Sequence, residues 1–558
     1  MLVDFPTPNN FNIKNGDNRI YETDGHLNLL NKNQQNMAVF NNTKQQQISK
    51  QSKQNFIFCF CKICGYRYII LLLTALCLTS ICSNMIVFNF TLILMKRPNW
   101  ENTTLLSINS STKIKEEGPF VVFNETHIMP KNVPYTQSEK AQLQYAVGIA
   151  SIISTFPFSM LYTKFGARFV FLSAGILSTI STALLPFAAS KGMIAFTFIR
   201  LLQGFAYGAN FAAIGFVCHR WATLKQHGFF LACMTTFTSL SVTLTNPVAA
   251  FISSVPSLGW PWVYYFHALV SPILFGFWLF LYTDHPDTHP CVSQREKDQI
   301  LSGKTEAEIG ISGFMPYRAI LSNKTVLIVW LNSFADIVTA VFLITYLPTY
   351  VSKVLRYGVR ETGIWSAVPA LLHIPVKIGS GWLADNMRTY GAVLLYNNSG
   401  CMSEIGRMRL FNSIALVGSG IAFALVGFVP DDKRFLAVIL MTINFALVST
   451  NCGGFYKCAT LISRQYAHFV VAGIQFEKSI TLFVSPLIFL LFIRDESSRE
   501  QWRNVFIGMA IILVVANTFF WFFVTDQPAE FTKIVSKQKS EKQQQKQNNL
   551  FNISKTDI

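Results

Sequence analysis

Twelve apolar runs punctuate this chain, each close to the ~20 helical residues that span the ~30 Å core of a bilayer. They lie near 67–95, 141–162, 167–189, 193–217, 228–255, 262–283, 326–352, 362–384, 408–429, 435–458, 468–493 and 503–525. Hydrocarbon offers no partner to an exposed amide or carbonyl, so each run is expected as a helix that satisfies its own backbone. Only Thr163–Gly166 separates the second run from the third.

The runs fall into two sets of six around a polar stretch. That layout predicts an all-α membrane protein with twelve transmembrane helices in two six-helix bundles. Parallel repeats of this kind are related by an axis along the membrane normal, and a solute route runs between them near the midplane. The expected divisions are a tail over 1–66, a first bundle over 67–283, a connector over 284–325, a second bundle over 326–525 and a tail over 526–558. Both tails are polar and rich in Lys, Asn and Gln, and are expected to be disordered. The first apolar run starts too deep in the chain to serve as a cleaved signal peptide.

Composition agrees. Hydrophobic residues make up 51% of the chain and charged residues 13%, with a mean hydropathy of +0.35. Soluble domains carry about 25% charged residues. The formal charge of +17 raises the question of nucleic acid. A nucleic-acid binder gathers its cations on one folded face. Here they sit in the tails and between apolar runs, which argues against nucleic acid and for cytoplasmic flanks of membrane spans. Even-numbered connectors carry Lys164 and Arg168, Arg220 and Lys225, Arg295 and Lys297, and Arg388 and Arg407, whereas Ser254–Trp260 is uncharged. Both tails are therefore expected inside, with Arg356 and Arg360 as exceptions on the outer side.

The outer connector 96–139 holds three glycosylation sequons, at Asn102, Asn109 and Asn124. None of the eleven cysteines lies within it, so no disulfide framework is visible. Cys59, Cys61 and Cys64 precede the first run; juxtamembrane palmitoylation and plain apolar packing both fit them. No nucleophile elbow, phosphate-binding glycine loop or zinc-protease motif occurs, and no catalytic residue, cofactor or metal site is expected.

An ionisable side chain inside a span is costly unless it is paired or hydrated, which makes it a functional candidate. Arg200 lies in the fourth run, Asp336 in the seventh, and Glu477 and Lys478 in the eleventh. Arg200 either faces the solute pathway or serves as a structural partner of carbonyls. Asp336 either carries a coupling ion or pairs with a neighbouring helix. Glu477 and Lys478 are adjacent, so they point to different helix faces, and at most one is expected to face the cavity. Asp385 and Arg388 close the eighth run as a charged pair, read as a gate, with Lys164 and Arg168 as its counterparts in the first half. Gly204, Gly208 and Ala212 recur at four-residue spacing, which suits close helix packing.

Several stretches resemble the anion–cation symporter branch of the major facilitator superfamily, which includes sialin, the vesicular glutamate transporters and the type I sodium–phosphate cotransporters. The most specific is Arg200-Leu-Leu-Gln-Gly-Phe-Ala-Tyr-Gly208, followed by Trp221 and by Gly259-Trp-Pro-Trp-Val-Tyr-Tyr265. Asp284-His-Pro-Asp-Thr-His-Pro290, Leu347-Pro-Thr-Tyr350, Gly381-Trp-Leu-Ala-Asp385 and Gly453-Gly-Phe455 follow in order. The resemblance covers roughly 67–531. It implies alternating access and proton- or sodium-coupled movement of organic anions or phosphate, in a lysosomal, vesicular or plasma membrane.

The departures matter equally. Where the family's first span carries an arginine motif, this chain has Val87-Phe-Asn89-Phe-Thr91, and where its fourth span carries a carboxylate, this chain has Tyr207. The expectation is a monomeric symporter of a small organic anion with a proton or sodium. Arg200, Asn89 and Tyr207 would contact substrate, and Asp336 and Glu477 would serve coupling. Sodium-dependent phosphate cotransport is the alternative. A receptor or scaffold that has lost transport is the alternative of another class, motivated by the missing arginine and carboxylate.

Overall fold

The computed structural model describes residues 65–99, 131–223, 226–301, 316–394 and 403–533, with the backbone alone over 384–394. The polar tails with Cys59, Cys61 and Cys64, and the sequons Asn102, Asn109 and Asn124, lie outside the described residues.

Within the described chain the helices follow the apolar runs closely. The first half contains α1 (Tyr66–Thr91), α2 (Gln137–Phe165), α3 (Ala167–Lys191), α4 (Met193–Trp221), α5 (His227–Thr235 and Phe237–Ser253) and α6 (Pro261–Leu281). The second contains α7 (Lys324–Thr349), α8 (Val359–Leu394), α9 (Glu404–Ser413 and Ser419–Val426), α10 (Arg434–Val448 and Phe455–Ser463), α11 (Ala467–Phe492) and α12 (Arg499–Phe523). Among the described residues, 11 stretches are long and apolar enough to cross a membrane. The remaining crossing, α8, runs for 36 residues and carries Lys377 in its interior.

Local sequence explains the ends. Thr136 and Glu139 form a capping box at the start of α2, with Thr136 N donating to Glu139 Oε2 at 2.8 Å and Glu139 N to Thr136 Oγ1 at 3.3 Å. Gly166 takes φ 76°, which lets α2 and α3 meet with a single residue between them. The Asp284 carboxylate then caps α3, accepting from Ala167 N at 2.5 Å and Arg168 N at 3.2 Å. Asn323 caps α7 through Thr325 N and Val326 N, both at 3.1 Å.

Three features were not foreseen. Lys96–Asn99 and Lys131–Pro134 pair as short antiparallel strands β1 and β2, which draw together the two ends of the α1–α2 connector. The polar connector after α6 contains a helix, Gln294–Leu301, whose Glu296 accepts from Tyr66 N at 3.0 Å and Arg67 N at 2.9 Å and so caps α1. Past α12, in the stretch assigned to the tail, Ala529 N donates to Ile462 O at 2.9 Å and Phe531 is buried beside Tyr466.

Two seams join the halves, α2 against α11 and α5 against α8. Each passes at a glycine. A Cβ on Gly148 of α2 would stand 2.9 Å from Phe483 N, and one on Gly363 of α8 would stand 2.8 Å from Asn246 O. Polar bonds lock the seams toward the face that carries the α1–α2 connector. Lys140 Nζ and Gln137 Nε2 reach Glu496 Oε1 at 2.6 and 2.8 Å, Tyr346 donates to Gln144, and Arg360 Nε donates to Ser254 Oγ at 2.8 Å. Further bonds, Asn246 Nδ2 to Ser366 Oγ and Ser151 Oγ with Ser479 Oγ, continue to the middle of the helices.

Candidate functional site

Between the halves lie two adjoining chambers that share the wall residues Thr238, Val341, Ile344 and Lys478. They enclose about 470 and 730 Å³, open solvent included.

The first chamber is built mainly on α1, α2, α4, α7 and α11. Arg200 is 1% exposed. Its Nε donates to Leu143 O at 3.2 Å, and its Nη1 donates to Met85 O at 3.3 Å and Gln203 Oε1 at 2.8 Å. The Phe88 ring covers one face of the guanidinium at 4.1 Å. Nη2 makes no hydrogen bond among the described residues. Arginine carries five N–H donors. Three bonds therefore fix the group while one terminal nitrogen stays available on the chamber side. Asn89 and Tyr207 line the same chamber. Of the three residues expected at the substrate, all stand on one wall.

The second chamber is centred on α7, α8 and α10. Asp336 is 3% exposed; its Oδ2 accepts from Asn451 Nδ2 at 2.8 Å, and its Oδ1 has no partner. A break in α10 supplies Asn451. The helix tightens into a 3₁₀ turn over Ser449–Gly453, ahead of Gly454, and this turn points the amide at α7. Lys377 and His373 of α8 line the chamber too, and Ser239 Oγ lies 3.0 Å from His373 Nδ1.

Lys478 belongs to both chambers. Its neighbour Glu477 does not line either. Glu477 accepts a hydrogen bond from Ser333 at the contact of α7 with α11. At most one of this pair was expected to face the cavity; Lys478 lines both chambers and Glu477, expected to serve coupling, lines neither. The residues read as gates separate as well. Arg168 Nη2 donates to Leu279 O at 2.8 Å, which ties α3 to α6 within one half. Lys164 lies over the Phe165 ring at 5.3 Å. Asp385 and Arg388 are on the last turns of α8, and their side chains fall outside the described residues.

Sequence reasoning passed over Lys377, His373, Asn451 and Gln144. Lys377 had a signal, a lone cation inside an apolar run. The neutral residues had none, because Asn, Gln and His are equally at home in helix contacts.

Twelve long helices in two sets of six and a polar cavity between the sets define a polytopic membrane transporter. The chain belongs to the Major Facilitator Superfamily, whose family model matches residues 72–486. It is 26% identical to the sodium-dependent phosphate transport protein 3 of Mus musculus over 380 residues, covering 68% of this chain and 76% of that one. To the sialin of Homo sapiens it is 27% identical over 446 residues, covering 78% and 87%. The fold matches the solved structure of a bacterial homolog to the human lysosomal transporter Spinster, in an inward-facing and unoccupied conformation. The TM-score is 0.58 and the identity 13%, with 84% of this chain and 99% of that chain covered.

Proposed function

We propose that this chain is a symporter that moves a small organic anion together with a proton or another cation by alternating access. The observation that carries the reading is the charge on the cavity wall. Two cations and no Asp or Glu face the first chamber, and the adjoining chamber supplies one carboxylate with an unpartnered oxygen. An anion site thus borders an acid able to take up the coupling ion. Relatives named for phosphate transport and for sialin support an anionic substrate.

Roles follow from the geometry. Arg200 holds a fixed positive potential that attracts the anion into a site of low dielectric. Asp336 binds the coupling cation on Oδ1 while Asn451 holds Oδ2. Tyr207 offers no carboxylate on α4, and Asp336 supplies one from the opposite half. The anion offsets positive charge on the wall of the first chamber and the cation offsets the charge of Asp336, which lowers the cost of closing the cavity from the other face. Glu477 holds α7 to α11, and the pair Asp385 and Arg388 serves the gate at the far end of α8.

Uptake into proteoliposomes, with and without an inward proton gradient, tests the reading. The wild-type chain is expected to accumulate anion under the gradient. Asp336→Asn is expected to retain anion exchange and lose the stimulation. Full gradient coupling in Asp336→Asn would remove Asp336 from the mechanism. Replacing sodium by choline in the same assay separates the sodium-dependent alternative.

A further inference from the structure

Among the described residues, Arg200 is the one charged residue that the first half presents to the first chamber. The chamber nevertheless contains a second cation. Lys478 enters it from α11, in the opposite half, and reaches across to α5. Its Nζ donates to Thr238 Oγ1 at 2.5 Å and lies 4.5 Å from the centre of the Phe237 ring. A hydroxyl and a ring face hold the ammonium in place without neutralising it. Among the described residues, no carboxylate forms an ion pair with Lys478 or with Arg200.

The two cations are anchored independently. Arg200 bonds to α1, α2 and its own helix through Met85, Leu143 and Gln203; Lys478 bonds to α5. They share no acceptor. Asp336 stands in the other chamber, with Lys377 on the same wall. Two positive charges that line one cavity are offset by a ligand that brings two negative charges. Anchors without a common acceptor suit negative groups at opposite ends of a molecule better than one compact oxyanion.

We propose that Lys478 is the second anion ligand of the transport site, and that the site takes a short dicarboxylate, one end on Arg200 and the other on Lys478. The proposal rests on the anion-transport reading above and narrows its substrate class. A ligand held this way touches both halves, so its binding also reports on their closure.

Ligand-induced thermal stabilisation of the full-length protein in detergent tests this directly, with succinate, glutarate, monomethyl succinate and inorganic phosphate as probes. Succinate or glutarate is expected to half-saturate at concentrations about tenfold below the monoester and phosphate, a difference of ~1.4 kcal/mol. Lys478→Met is expected to remove that preference, so that diacid and monoester half-saturate within about twofold of each other, and an unchanged melting temperature without ligand shows that the variant is folded. Lys478→Arg is expected to keep it. Equal stabilisation by diacid and monoester, tighter binding of phosphate, no stabilisation by any probe, or an unchanged preference in Lys478→Met would each overturn the assignment. A diacid preference without uptake into proteoliposomes would instead sink the transport reading and leave the ligand assignment standing.

Discussion

The two halves treat buried polarity in opposite ways. In the first half the charge is part of the scaffold. Arg200 is bonded to two backbone carbonyls and Gln203, whose Nε2 reaches Asn84 O at 3.1 Å and Thr182 Oγ1 at 3.0 Å. Asn84 in turn donates to Ser178 and Ser271, both at 2.9 Å. One network thereby joins α1, α2, α3, α4 and α6. In the second half the central hub is neutral and the charges that line the chambers stand apart from it. Asn412 is the hub, donating to Asn332 Oδ1 at 3.0 Å and Asn517 Oδ1 at 2.9 Å and accepting from Phe455 N at 3.2 Å. Asp336 has one neutral donor, and Lys478 finds its partners across the seam. A charge fastened at three points sets a constant potential. A charge fastened at one point can exchange its partner for an ion or a substrate. The difference assigns attraction to the first half and switching to the second.

Substitutions can break this contrast. The largest effect belongs to Arg200→Gln, which removes the fixed potential and strands Leu143 O and Met85 O. Losing one member of a buried bonded charge set costs ~2–5 kcal/mol, so uptake is expected to fall by about a hundredfold or more in kcat/KM. A variant retaining a tenth of wild-type uptake would show that the potential comes from elsewhere.

Asn412→Leu comes next and tests the neutral scaffold. It leaves Phe455 N and Asn332 Oδ1 without Asn412 and leaves Asn517 with Ser413 alone, at ~1–3 kcal/mol for the buried groups. Thermal stability in detergent should drop clearly, while ligand preference should stay unchanged. A shift in substrate selectivity instead would mean that the Asn412 network reaches the cavity.

Close packing within the first half is sharpened by Gly204→Ala. A Cβ there would press on the Val147 backbone, which has no room to yield. Overpacking of this kind costs ~1–3 kcal/mol. Gly276→Ala, on a helix face with nothing within 4 Å, is the control and should melt with the wild type.

The smallest effect is expected at the clasp on the connector face. Lys140 and Glu496 are 18% and 12% exposed, and pairs near the surface contribute ~0.2–1 kcal/mol. Lys140→Gln should shift the balance between the two open forms by no more than about fivefold, read as cysteine accessibility in the chambers. The reversal Lys140→Glu with Glu496→Lys should restore it.

Much of the architecture was legible in the sequence for one reason: a bilayer admits only helices of a set length. All twelve runs appear as helices, and even the one-residue junction at Gly166 was marked by its short polar break. Arg200 and Asp336 were legible by the same rule, as charges where charges are costly. Pairings between distant residues were not. Glu296 caps a helix that begins 230 residues earlier, and nothing in either segment announces the other. Lys478 was visible as a charge. Its direction was not, because adjacent positions on a helix face apart and only the packing of α11 between α7 and α2 decides which one enters the cavity.

The glycine crossings at Gly148 and Gly363 carry a mechanical consequence. Helices in lipid are held by intimate backbone contact more than by expulsion of water. Where that contact is smooth, one rod can rotate on another without its side chains having to unlock. Close backbone approach at Gly148 and Gly363 leaves the halves room to tilt about these two crossings while the inner packing of each half stays intact.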